Sequence, residues 1–139
     1  MRKIPSVLAC VLLAVATQSQ AQVYRAQNQL YVVPLNGGDF EVIEDHGEGA
    51  RGIWCAAASF ARYAQGTATD QRLYVKSPRG PSISGVGRIG VVFTTRADTL
   101  PVAPKQAYSV SVRDAGLGLP IHHAYQFCKD YLIELEDRF

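Results

Sequence analysis

Three groups of side chains in this sequence have the types and spacing for chemistry. The first is Cys55 with His122 or His123. A thiol at the start of a helix has its pKa lowered by the dipole, and an imidazole can take its proton. With a carboxylate or amide to orient the imidazole, this set would make a cysteine hydrolase, a peptidase or cell-wall amidase. Two observations count against it. The residues around Cys55 lack the local signatures of papain-like and amidase-like enzymes, and Cys128 is left without a role. A disulfide between Cys55 and Cys128 accounts for both sulfurs, and no catalytic residue is then assigned. The second group is Asp45, His46 and Glu48, with His122 and His123 as further donors. Imidazole and carboxylate suit zinc or copper. Adjacent histidines diverge on a helix, however, and neither H-x-H nor H-x-x-x-H spacing occurs, so no metal and no cofactor is expected. The third group is Lys76, Arg79 and Arg88, which flank the loop Ser77 to Gly87 with its Gly85-Val86-Gly87. Backbone amides and basic side chains together can cradle an anion, although a solvated connecting loop has the same make-up. Trp54, Tyr24, Tyr31 and Tyr74 would line a glycan or peptide groove if they were not filling a core.

The compartment bears on all of these. Arg2 and Lys3 precede an apolar run from Val7 to Ala16, and small residues at Ser19 and Ala21 fit signal-peptidase cleavage. Residues 1–21 are therefore expected to be a signal peptide, with the mature chain starting at Gln22. The run is too short for a membrane span, which needs roughly 20 apolar residues. Cys10 loosely resembles a lipobox cysteine, but the hydrophobic run continues beyond it. Export implies a periplasmic or secreted protein with no membrane span after signal removal. It also takes Lys and Arg from 14 to 12 against 12 Asp and Glu, so the mature domain has no net charge. Without a basic field, nucleic-acid binding is not expected. Of the 3 cysteines in the 139-residue chain, Cys10 leaves with the signal. The remaining pair suits an oxidising compartment.

The elements that position these residues follow from periodicity. Residues Gln22 to Gln29 are polar and read as a flexible lead-in; residues 30–139 then form a single domain. Leu30 to Leu35 and Asp39 to Glu44 read as a hairpin across Asn36-Gly37-Gly38, with Pro34 marking an edge. Ile53 to Gln65 is alanine-rich and predicts a helix, closed by Gly66. Gln71 to Lys76, Arg88 to Thr95 and Ala107 to Arg113 read as strands, the last from alternation of Tyr108, Val110 and Val112 with polar residues. Pro120 is expected in the first turn of a final helix whose apolar stripe includes Ala124, Phe127, Cys128 and Tyr131. The fold class is α+β: a small antiparallel sheet of about five strands, order β-β-α-β-β-β-α, covered by two helices that a disulfide joins.

Ile53-Trp54-Cys55-Ala56-Ala57, Arg72-Leu73-Tyr74-Val75, Val91-Val92-Phe93-Thr94 and the late Cys128 together resemble a group of small exported proteins of alphaproteobacteria. In that group a Trp-Cys-x-Ala helix start and a cysteine in the C-terminal helix bracket a few strands. The resemblance spans roughly Leu30 to Tyr131. It implies a periplasmic or secreted protein and carries no catalytic residues.

By elimination, the chain reads as a non-enzymatic binding or accessory module of the cell envelope, its partner an unknown protein or envelope component. The cysteine hydrolase is one alternative. An inhibitor of an envelope enzyme, presenting the loop Ser77 to Gly87, is the other.

Overall fold

A computed structural model describes Arg2, Lys3 and residues 22–139. The rest of the expected signal segment lies outside the described residues. One mixed sheet of seven strands carries two helices, in an α+β arrangement. In chain order the elements are β1 (Tyr24–Arg25), β2 (Tyr31–Pro34), β3 (Phe40–Ile43), α1 (Ala50–Ser59), β4 (Arg72–Pro81), β5 (Ile89–Thr94), β6 (Lys105–Gln106), β7 (Leu117–Pro120) and α2 (Ile121–Glu136). Across the sheet the order is β1-β2-β3-β5-β4-β7-β6. All neighbours are antiparallel except β6 and β7. Among the described residues no helix is long and apolar enough to cross a membrane.

The expected hairpin is β2–β3, with Val32 opposite Val42 and Pro34 opposite Phe40. Gly37 and Gly38 take positive φ in its turn. Pro34 is not on an edge strand, but β1 pairs only with Tyr31 and Val32. On that side Pro34 has no neighbour to which an N–H would be owed.

One face of the sheet supplies Val32, Phe40, Val42, Leu73, Val75, Val91 and Phe93 to the core. Over it lies α1, whose alanines let α2 approach closely. Trp54 is fully buried with its ring edge on Phe93, centroids 5.0 Å apart, and Phe60 packs on Phe40 at 4.6 Å. Each such side chain contributes about 1.5–3 kcal/mol by leaving water. Where the helices meet, Cys55 and Cys128 form the disulfide, with α-carbons 5.0 Å apart and both residues buried.

Several expectations are corrected. The sheet has seven strands, not about five, and is mixed. The lead-in holds β1, and Ala26 and Asn28 within it are buried; Asn28 Nδ2 donates to the Gly52 carbonyl at 2.7 Å. Ala107 to Arg113 is not a strand. Its Ser109 and Ser111 hydroxyls accept from the amides of Ser111 and Arg113, which gives the backbone local turns in place of a ladder. The sheet continues beyond β4 through β7 instead, and β6 forms that edge. Pro120 caps α2 from outside rather than standing in its first turn. Helix α1 starts at Ala50, so Cys55 lies in its second turn and not at its N-terminus. The helical chain then continues through Phe60–Ala64 as a wider π turn, with Gln65 N donating to Phe60 O.

Candidate functional site

In β3, Phe40 and Val42 face the helices, so Glu41 and Ile43 must face the other way. That outer face is roofed by the chain between β4 and β5. Two register shifts along β4, between Val75 and Ser77 and between Ser77 and Gly80, bend the strand. The bend lets its far end pair Gly80 with Gly90 and Pro81 with Ile89. The loop Ser82–Gly87 is then laid back over Glu41. It closes on itself through Ser82 N to Arg88 O at 3.0 Å.

Glu41 is fully buried, at 0 % exposure. Its Oε1 accepts from Ser84 Oγ at 2.6 Å and Ser82 Oγ at 2.7 Å, and its Oε2 from the Ile83 amide at 2.6 Å. The Ser84 amide adds a longer bond of 3.4 Å. Among the described residues no cation takes part. Burial pushes the Glu41 carboxyl upward, but the two serine hydroxyls and the two loop amides outweigh it and hold the group below its ordinary 4.5. The space for this carboxylate exists because residue 90 is glycine. A β-carbon there would lie 2.7 Å from Glu41 Cδ. Above this anchor the loop turns outward apolar side chains, Ile83 at 64 % and Val86 at 52 % exposure.

The sequence-derived candidates fall as follows. Lys76 pairs with Asp39, and Arg79 Nε donates to Glu44 Oε2 at 2.7 Å, so two of the three basic residues are neutralised within the fold. Arg88 is exposed. Two amides of this loop, those of Ile83 and Ser84, are turned inward to the protein's own Glu41 carboxylate. Cys55 is in the disulfide and has no free thiol; His122 and His123 stand exposed at the start of α2, with His122 Nδ1 3.0 Å from the Thr69 carbonyl. His46 sits beside Asp45 at 3.7 Å, both well exposed. Among the described residues no group of three or more His, Cys, Asp or Glu is placed to hold a metal ion. Trp54 belongs to the core and donates from Nε1 to Val110 O, and Tyr24 is bonded to Ser59, so the aromatic four do not line one groove.

Sequence reading missed Glu41, Ser82, Ser84 and Gly90. Chemically their arrangement offers neither a nucleophile nor a free base. It fixes the backbone of an exposed loop. No protein-family model, no curated protein and no solved structure matches this chain.

Proposed function

We propose that this chain is a non-enzymatic binding module of the cell envelope, exported to the periplasm or beyond, that engages a protein partner through the loop Ser82–Gly87. The observation that carries this reading is the buried Glu41 carboxylate, which holds both ends of the Ser82-Ile83-Ser84 stretch from beneath while Ile83 points to solvent. A loop fixed before the encounter loses little conformational entropy on binding. Its exposed Ile83 and Val86 supply the apolar centre that protein interfaces use. An inhibitor of an envelope enzyme is the form of this reading in which the loop enters the partner's active-site cleft. The disulfide, the N-terminal charge and hydropathy pattern, and the resemblance carried by Trp54-Cys55 and Cys128 all support an oxidising, exported setting.

The test is site-specific photo-crosslinking in the native envelope. A photoreactive residue at position 83 is expected to give one adduct of discrete mass. The same residue at position 132, exposed on α2, is expected to give none. Glu41→Gln is expected to weaken the adduct at position 83. Equal labelling at both positions, or none at 83, overturns the proposal.

A further inference from the structure

A second site lies at the other edge of the sheet and is independent of the loop. Between β6, β7 and the start of α2 is a cleft of about 480 Å³, lined by Arg72, Gln106, Tyr108, Leu119 and His123 among others. No acidic residue lines it. Arg72 is partly buried and forms no ion pair among the described residues. Its Nη2 donates to the Gly118 carbonyl at 3.0 Å, and its Nε is enclosed with no partner. Nη1 has no hydrogen-bond partner among the described residues and is not enclosed, so the guanidinium keeps its charge and a free donor on the cleft wall, with no carboxylate beside it among those residues.

The remaining walls have complementary chemistry. Leu119 forms an apolar floor, and the Tyr108 ring stands fully in solvent next to it. At the start of α2 the Ile121 and His122 amides are already taken by the Gln71 and Thr69 carbonyls, so the charge in the cleft comes from Arg72 and not from the helix end. On the far side β6 pairs with no further strand among the described residues.

We propose that this cleft binds a carboxylate joined to a flat apolar group, with Arg72 as the charge partner and Tyr108 as the apolar wall. A free acid and the C-terminus of a peptide share this chemistry. The guanidinium matches a carboxylate in charge, and its bond to the Gly118 carbonyl fixes its position on the wall. The size falls within the range of about 300–1,000 Å³ usual for ligand sites.

The test is titration of the full, oxidised chain followed by amide chemical shifts, with N-acetylphenylalanine, its primary amide, and a triglycyl-phenylalanine peptide as probes. Saturable shifts from the acid are expected at the amides of Gln106 to Tyr108 and of Leu119 to His123, excluding Pro120. The amide probe is expected to bind at least about tenfold more weakly. Arg72→Gln is expected to cost about tenfold or more in affinity for the acid. Tyr108→Ala, at a position where folding is not at stake, is expected to cost about threefold with Tm unchanged. A peptide binding about tenfold more tightly than the acid assigns a peptide terminus, and equal affinities assign a free acid. The proposal is overturned if acid and amide bind equally, if neither acid nor peptide saturates by about 10 mM, or if folded Arg72→Gln or Tyr108→Ala leaves affinity unchanged.

Discussion

Replacing Glu41 by glutamine removes one charge and almost no volume, so it isolates what the anion does beneath the loop. Three donors lie within 2.7 Å of the carboxylate oxygens. A hydrogen bond to a charged acceptor contributes about 1.5–3 kcal/mol, and one to a neutral acceptor about 0.5–1.5. Neutralising the acceptor therefore costs on the order of 3 kcal/mol before desolvation is counted. The amide avoids the desolvation of the carboxylate, which offsets part of that loss. The carboxyl is held below its ordinary value in the fold, so the balance still favours the charge. We expect Glu41→Gln to lower stability at pH 7 by about 1–2 kcal/mol, a fall in Tm of roughly 4–10 °C for a domain of this size. The pH dependence gives a second readout with a definite sign. A carboxyl whose folded pKa is depressed stabilises fully above its unfolded value, near 4.5, and that stabilisation is lost as pH falls through the lower folded value. The wild-type chain should lose this increment on acidification, and the variant should not. Gly90→Ala attacks the same carboxylate sterically, by driving a methyl to 2.7 Å from its Cδ. It should cost about 1–3 kcal/mol and speed hydrogen exchange at the Ile83 amide. A Glu41→Gln variant with wild-type Tm at pH 7 and a wild-type acid limb would refute the reasoning.

Two other perturbations have clear signs. Replacing Cys55 and Cys128 together by alanine opens a loop of sequence separation 73, and urea denaturation should show a loss of about 4 kcal/mol on the chain-entropy account. A loss under about 1 kcal/mol would mean that the helices hold each other without the bond. Glu48 lies above its ordinary value because of burial first and the Glu134 charge second, against His46 and Arg138. A raised carboxyl favours the fold while protonated and loses that contribution as pH rises through its folded value. Glu134→Gln should therefore raise stability at pH 7 by a few tenths of a kcal/mol. The gain should vanish in acid, once Glu48 has taken up its proton; a gain that persists there would point to another cause.

Much of this fold is written in local pattern. The alternation around Phe40 and Val42, the turn at Asn36-Gly37-Gly38, the alanine-rich run of α1 and the stripe carrying Cys128 all act over a few residues. Hence hairpin, helices and disulfide were legible. What failed depended on distant partners. Tyr24 and Arg25 become a strand only because β2 lies beside them, and polar composition hides it. Gly118 lacks a side chain and so makes room for the Tyr74 ring of the neighbouring strand, which would stand 2.6 Å from a β-carbon there. Pro78 and Gly80 read as loop because an even ladder excludes them, whereas the register shifts of β4 accommodate them. Alternation in Ala107 to Arg113 placed Val110 and Val112 inward, but the serines between them satisfied the backbone locally. The candidate site was least legible. Glu41 looked like the wet half of an amphipathic strand, and nothing in linear order ties it to serines some forty positions later.

The two sides of the sheet are sealed by different materials. Hydrocarbon closes the helix side, whereas on the other an anion with its hydroxyl and amide donors sits among Val33, Ile43 and Val92. Peeling the loop away would uncover the Glu41 carboxylate and, under Gly87, the Ile43 side chain. Acid acts on this closure directly, because protonating Glu41 removes the charge that the loop donors hold. Proton concentration is thus the natural handle on this side of the sheet, while the aromatic interior on the other carries no such group.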